Sequence, residues 1–424
     1  MRGNYLWMVA AIAAALVAGC SDDSSSAAGG SGGSGAAGGT TGTGGAGGGG
    51  GSIAALSQAA SETYAEIVYQ SYLDTIELSE DMEAALNAFV TSPSDVNLEA
   101  AKDAWLAARE PYLETEVYRF YDGPIDNPTD GPEGALNAWP MDEAFVDYTR
   151  DDADAGIINN DGQTIDAETL RGENESGAEE NISTGWHPIE FLLWGQDALD
   201  PSNNLPGQRP FTDYENGGTA ANQARRGEYL NLLAVLLLED LEFLRDAWAP
   251  GDDSNFRASF VGGDSELALE QMLTGLIVLS GFETAGERLQ VALDNGDQED
   301  EHSCFSDNTH RDMAQDVQGI QNVWLGEYEA LDSANSVSGT GVRDVVAALD
   351  SDLAASITSQ IADALTQAQG LRPTQADPPF DVLISLGNTE GNAQVQGLID
   401  SLRTVESLLS DAFTRLGLTV PQPE

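Results

Sequence analysis

The sequence predicts an all-α fold: two antiparallel helical-bundle domains, at 53–249 and 250–424, carried behind a disordered N-terminal tether. Three observations predict it. After residue 52, apolar residues recur at intervals of three and four along most of the chain, the spacing of one helix face. The alternation that a half-buried strand needs is nearly absent. A polar break, Pro250-Gly251-Asp252-Asp253, divides the helical run near its middle, and each half is long enough for a domain with its own core.

Arg2 is the only charge ahead of an apolar run from Tyr5 to Val17. That run is too short for a bilayer span of about 20 residues and has the length of the apolar region of an export signal. It ends Leu16-Val17-Ala18-Gly19-Cys20, which looks like a bacterial lipobox. Residues 1–19 are therefore expected to be a lipoprotein signal peptide, with Cys20 lipidated. Residues 20–52 follow as the tether: 15 of the 32 positions from 21 to 52 are glycine, and none carries a large apolar side chain. Such a stretch buries nothing and behaves as a flexible coil with an r.m.s. reach of about 30 Å. The expected location is the cell envelope, with the membrane engaged through the lipid anchor. Ser21, where an aspartate would favour inner-membrane retention, points to the outer membrane, on its periplasmic side or at the cell surface.

From residue 53 the chain reads as helix after helix. Residues 53–90 form the first. Leu98, Ala101, Trp105 and Ala108 mark the second, in 3-4-3 spacing. Residues 122–186 are dense in Gly, Asn, Asp and Pro, and an irregular insertion of that length is usually functional or disordered. A helix is expected at 189–198. Leu230, Leu233, Leu237, Leu241 and Leu244 then draw a long apolar stripe, as do Val395, Leu398, Leu402, Val405, Leu409 and Ala412 near the end. Between them, helices are expected at 266–293, 310–332 and 341–368.

Charge excludes some functions. The chain holds 71 Asp and Glu against 17 Lys and Arg, a net charge of −54, and Lys102 is its one lysine. Nucleic-acid binding needs a basic face that these residues cannot supply, and peripheral docking on anionic lipid is disfavoured for the same reason. With 41% apolar residues the body can still bury a large core. Two cysteines make no disulfide framework. Once Cys20 is acylated, Cys304 is the remaining thiol. An acidic surface raises local cation concentration; it is also what a saline habitat would select.

Three stretches could carry chemistry. His187 and Glu190, in Gly185-Trp186-His187-Pro188-Ile189-Glu190, lie three apart and project from one helix face, which suits an imidazole and a carboxylate on one metal. The competing reading is structural: Pro188 at the first helical position makes His187 the N-cap and Glu190 the N3 residue of a capping box. His302-Ser303-Cys304, with His310 downstream, could ligate a metal but lacks a usual zinc spacing. Its competing reading is a polar loop in which Asp307, Asn308 or Thr309 caps the next helix. Glu283 and Glu287, followed by Arg288, share a helical face that can equally be a solvated edge. No His-Glu-x-x-His occurs, nor a Gly-x-Ser-x-Gly elbow in the folded body, and no phosphate-binding glycine motif follows a strand.

The Gly185-x-His187-x-x-Glu190 stretch, continued by Phe-Leu-Leu-Trp-Gly, resembles the Gly-x-His-x-x-Glu motif of the imelysin-like family. The resemblance extends to Trp105 through Tyr112, Glu116, Tyr118-Arg119-Phe120, Gly123-Pro124-Ile125-Asp126, Asn137 through Glu143 and Arg171 through Glu175. Leu273 to Arg288 and Glu299 to Ser306 are similar to the iron-regulated branch, the iron-regulated protein A type. Together it covers about residues 55–420. It implies two helical bundles related by duplication, with the motif in a pocket at their junction, and cell-envelope proteins linked to iron uptake, some of them named as peptidases. Carried over by position, His187 and Glu190 are the motif pair and Gly185 its glycine.

The function expected is a non-enzymatic, anchored iron-uptake accessory that binds iron or an iron complex between its bundles and works with an envelope iron-transport partner. Ferric iron is hard and takes oxygen ligands, so carboxylates plus an imidazole suit it; other divalent metals are also possible. Two ligands at a helix start do not make a tight site, so Glu116, Asp126, Glu283 and Glu287 are the candidates to assist. A metallopeptidase would need a third ligand, a general base and an open coordination position. A ligand-free interaction scaffold, with His187 only capping a helix, is the third reading. The anchor gives the first test: mass spectrometry of the exported protein should find the mature N-terminus at Cys20, with a lipid on its sulfur. An unmodified Cys20, or a mature end elsewhere, removes the anchor.

Overall fold

The computed structural model describes residues 48–197 and 205–421, with side chains from Ile53 onward. The signal peptide, Cys20 and the tether up to residue 47 lie outside the described residues. The first helix, α1 (Gly48–Thr91), begins five residues before the expected start; once a helix is nucleated each further residue adds a hydrogen bond at little cost. It is followed by α2 (Asp95–Leu113), whose N-cap Ser94 accepts from the Asn97 N–H. Then come α3 (Trp186–Trp194), α4 (Gln223–Trp248) and α5 (Ser265–Ile277). Helix α5 runs without a break into a π-helical segment (Val278–Gln290) and a last α-helical turn (Val291–Asn295). The chain closes with α6 (Thr309–Leu325), α7 (Val342–Leu349), α8 (Ser351–Gln369) and α9 (Thr389–Leu416). Among the described residues the only strands are β1 (Glu327–Tyr328) and β2 (Val337–Ser338), a two-residue antiparallel pair. The all-α expectation holds.

The apolar stripes are the core. Leu98, Ala101, Trp105 and Ala108, the five stripe leucines of α4 (Leu230, Leu233, Leu237, Leu241 and Leu244) and the six stripe residues of α9 are all buried. Two expected helices are shorter or divided. Gly326, at φ 73°, ends α6 at Leu325 rather than 332. Asp350 splits 341–368 into α7 and α8, because its carboxylate accepts from the N–H groups of Asp352 and Leu353 and starts a new helix. The insertion at 122–186 is ordered, with single helical turns such as Glu133–Leu136 and Glu143–Val146. Asn174 ties it together by donating to the Gly134 carbonyl (2.7 Å) and accepting from the N–H groups of Ser183 (2.9 Å) and Thr184 (3.2 Å).

Helices α1, α2, α3 and α4 pack together, and α5 through α9 form a second group; the turn between Trp248 and Phe256 lies between them. Helix α1 belongs to both, since it also packs on α5 and α7, while α6 packs on α2. No described helix is long and apolar enough to cross a membrane.

Two glycines set how closely the groups approach around the turn at Glu116–Tyr118. A Cβ on Gly275 would lie 2.1 Å from the Val117 carbonyl oxygen, and one on Gly319 2.4 Å from that of Glu114. Neither neighbour is a flexible side chain, so the backbones would have to part. Gly319→Ala is expected to cost about 1–3 kcal/mol, the range of overpacked sites, in a denaturant melt. Gly262→Ala, where nothing lies within 4 Å, should stay within about 0.5 kcal/mol. Equal effects at both positions would remove the close approach as a constraint.

Candidate functional site

The motif helix starts where only glycine fits. Gly185 takes φ 93°, and a Cβ there would fall 2.3 Å from the Leu136 carbonyl oxygen. It is the N-cap of α3, which places His187 at N2, Pro188 at N3 and Glu190 at N5. The capping-box alternative, with His187 as N-cap, is therefore corrected: the helix begins two residues earlier, and Glu190 lies beyond the N3 position a capping box needs. Pro188 is tolerated because first-turn N–H groups have no intrahelical partner. The carboxylate of Glu190 instead meets side chains: its Oε2 lies 3.1 Å from His187 Nδ1, and its Oε1 accepts from the N–H (2.9 Å) and hydroxyl (2.6 Å) of Ser306. Ser306 belongs to the loop preceding α6, so the motif is joined to the second helix group.

That loop brings a second imidazole. The His302 ring stands edge-on to His187 with centroids 5.1 Å apart, and edge-on to Trp139 at 5.9 Å. Its Nδ1 lies 2.7 Å from Asp312 Oδ2, on the first turn of α6. Asp312 also accepts from Ser303 Oγ (2.5 Å), Asn308 Nδ2 (3.2 Å) and Arg109 Nη2 (3.3 Å). Arg109 is fully buried on α2, packed against the rings of Trp105, Tyr112 and Trp186 at 5.5–5.7 Å, and donates to Asn137 Oδ1 at 2.6 Å. Two imidazoles, each with Nδ1 on a carboxylate, thus sit side by side. The Nε2 of His187 is buried and has no hydrogen-bond partner.

Around them runs a network of ion pairs. Arg288 Nη2 contacts Glu116 and, at 3.0 Å, Glu283, while Nη1 pairs with Asp316 at 2.9 Å. Arg119 pairs with Glu116 (2.8 Å) and Glu133 (2.9 Å). The Glu283–Arg288 pair depends on the π-helical segment: its i→i+5 hydrogen bonding stacks residues five apart, whereas an α-helix would turn them well away from each other. The charges balance. Burial pushes Glu116, Asp312 and Glu283 up, but the guanidiniums beside them outweigh it and hold all three below their ordinary values. Three ionised carboxylates therefore face Arg109, Arg119 and Arg288. Burial, then Arg109, pulls His187 well below its ordinary value. Burial, then Arg288, pulls His302 down to about 3. Both imidazoles are neutral. Burial raises Glu190 to about 8 and Asp316 to about 7.

A cleft of about 290 Å³ opens above this network. His302 and Arg288 form its floor, and Glu133, Glu175, Glu179, Glu283 and Glu287 line its walls. Of the residues singled out from the sequence, Glu283 and Glu287 reach the cleft, and Glu116 lies buried in the network beneath it. Asp126 is elsewhere: its Oδ2 accepts from the N–H groups of Phe120 and, at 3.0 Å, Tyr121, bracing a turn where Phe120 has φ 74°. His310 Nδ1 sits 3.0 Å from the Asp307 carbonyl in its own turn, and Cys304 is a buried free thiol. Among the described residues no group of three or more His, Cys, Asp or Glu side chains is arranged to hold a metal ion. Sequence reasoning missed Arg109, Asn137, Asp312 and Asp316. Arg109 carried a signal, one turn beyond Trp105 on the apolar face of α2; Asp312, ten residues from its partner His302, carried none.

Comparison with known proteins agrees with this architecture. Residues 68–409 match the family model of imelysin, labelled peptidase M75. A protein of Synechococcus elongatus named iron-regulated protein A is 24% identical over 270 residues, and the alignment spans 62% of each chain. The crystal structure of a Parabacteroides distasonis chain described as an iron-regulated protein A precursor superposes with a TM-score of 0.61 at 19% identity, covering 85% of this chain and 95% of that one. An imelysin-like protein from Psychrobacter arcticum gives 0.57 at 14% identity, covering 87% and 98%. At these identities the structures speak for the fold.

The raised acid makes stability fall with pH. An ordinary glutamate titrates near ~4.3, and Glu190 in the folded chain titrates at about 8. Its contribution is therefore complete below ~4.3 and is lost as pH rises through the folded value. Glu190→Gln keeps the neutral form at every pH, so its melting temperature should fall less between pH 5 and 8.5 than that of the unsubstituted protein. Asp316, raised to about 7, leaves a residual slope. Identical slopes in paired thermal melts would show that Glu190 is ionised in the fold.

Proposed function

The chain belongs to the imelysin family, and on that premise we propose that it is a lipid-anchored, non-enzymatic accessory of iron uptake in the cell envelope. Its cargo is ferric iron or an iron complex, received in the acidic cleft above His302 and passed to an envelope transport partner. The observation that carries this reading is the pair of carboxylate-held imidazoles, with His187 Nε2 buried and unpartnered. Metal-ligating histidines commonly bond their other ring nitrogen to a carboxylate, which fixes tautomer and orientation. A buried polar atom left without a partner costs about 1–3 kcal/mol, so a ligand there would recover what the fold forgoes.

On this reading Glu190 and Asp312 orient, His187 and His302 bind, and Glu283, Glu287 and Glu133 in the cleft attract the cation without coordinating it. The remaining coordination positions go to a chelator carried in with the metal. The matched guanidiniums and carboxylates below the cleft leave its floor close to neutral, so the walls set the potential and concentrate cations. The Synechococcus relative is named as iron-regulated, which connects the reading to iron supply. A peptidase would need a free general base beside an open metal position. Here Glu190 is engaged by Ser306 and His187, and Asp312 by Ser303, Arg109 and His302.

Calorimetric titration with ferric citrate tests the proposal. His187→Ala and His302→Ala should each weaken binding at least tenfold, about 1.4 kcal/mol, with the helical circular-dichroism signal retained. Glu190→Gln should weaken it similarly. A metal on Nε2 needs the ring proton on Nδ1, and Glu190 can accept that hydrogen bond by losing its own proton on binding. An amide whose oxygen is bound to Ser306 can only donate its NH₂ to Nδ1, which keeps the proton on Nε2. Unchanged affinity alongside a lowered melting temperature would reduce the motif to a structural role.

A further inference from the structure

We infer that the chelator carried in with the metal is a single catecholate, an aromatic 1,2-diolate that stacks on Trp139. The inference rests on the iron reading above and names the ligand that completes it. The protein side of the site is short of donors. His302 lines the cleft with its Nδ1 held by Asp312 at 2.7 Å, which leaves Nε2 as its ligating nitrogen. His187 supplies the other imidazole, and among the described residues no third His, Cys, Asp or Glu joins them. Ferric iron is hard and prefers oxygen, so the incoming ligand must bring oxygens. A 1,2-diolate brings two on adjacent carbons, where they close a five-membered ring with the metal.

Size and charge narrow the choice. The cleft measures about 290 Å³, at the bottom of the ~300–1,000 Å³ range of sites for drug-sized ligands. That suits one ring and its metal, not three joined rings. Glu133, Glu175, Glu179, Glu283 and Glu287 outnumber Arg119 and Arg288 in the lining, and both arginines are already paired with carboxylates. Walls of that sign favour a complex that stays positive. Ferric iron with one diolate keeps a single positive charge, whereas a citrate trianion cancels it and a second diolate reverses it. Trp139 supplies the surface for the ring. It lines the cleft beside Pro140, edge-on to His302 at 5.9 Å. Its backbone is fixed two residues earlier, where Asn137 Oδ1 accepts from Arg109 Nη1 at 2.6 Å and Nδ2 donates to Glu116 Oε1 at 3.4 Å. Trp105, Trp186 and Trp194 are enclosed in the core, but Trp139 is only half-buried and keeps surface for a ligand. Stacked rings gain more than their area burial, and a cationic complex over an indole adds attraction of its own.

The test loads the whole folded chain with iron from ferric citrate, removes the excess by gel filtration and titrates catechol at neutral pH. Catechol binds as the diolate: its two hydroxyl protons leave for solvent, and its oxygens displace citrate or water from the metal. Saturation is expected at one catechol per bound iron, read from the visible charge-transfer band of ferric catecholate, with the iron still on the protein. Trp139→Ala should weaken catechol binding at least tenfold and leave iron loading as it is. Trp139→Phe, which keeps a ring, should restore most of the affinity. A disulfonated catechol, the same chelator with two added negative charges, should bind at least tenfold more weakly than catechol. Two or three catechols per iron, unchanged affinity in Trp139→Ala, or equal affinity for the disulfonate would each overturn the catecholate assignment and leave the iron reading standing. A chain that takes up no iron would overturn both.

Discussion

Three guanidiniums govern the centre of this protein, Arg109 and Arg288 buried and Arg119 nearly so. A buried charge that loses its partner is strongly destabilising, at about 3–5 kcal/mol, so Arg109, Arg119 and Arg288 require carboxylates at hydrogen-bonding distance. Those carboxylates come from four segments: Glu116 follows α2, Glu133 lies in the insertion, Glu283 sits on the π-helical segment, and Asp312 and Asp316 lie on α6. Meeting the demand sets the register of α6 against α2 and of α5 against both. Hydrophobic burial alone would tolerate sliding of one helix group over the other; directional ion pairs do not.

The backbone is adapted to that demand in two ways. The π-helical segment, with its i→i+5 hydrogen bonding, brings Glu283 beside Arg288, which in turn reaches Glu116. Glycines at 275 and 319 allow two helices to touch the carbonyls of the turn that carries Glu116. Gly185 does the same for the motif helix against Leu136. Each glycine sits where a neighbouring main chain, rather than a side chain, occupies the space.

The electrostatic consequence is a pair of imidazoles kept neutral within a strongly acidic protein. Burial and the nearby arginines remove their protons, while the same burial lifts Glu190 and Asp316. The site therefore holds lone pairs in a neutral floor beneath carboxylate walls, an arrangement in which attraction for a cation comes from the walls and geometry from the floor.

Helix positions were largely legible in the sequence because the signal is local: residues three and four apart share a face whatever the helix packs against, so the stripes of α2, α4 and α9 read correctly as core. The pairing of His187 with Glu190 was legible for the same reason. The helix start was not, since it depends on Gly185 meeting Leu136, 49 residues earlier in the chain. Nor could local spacing reveal that Glu190 bonds Ser306, that His302 leans on Asp312 and Arg109, or that Asp126 serves a turn. A buried charge leaves no periodic trace, and its partner is whichever carboxylate the docking of two helix groups brings within reach; sequence determines the faces, and only tertiary packing decides which charges meet behind them.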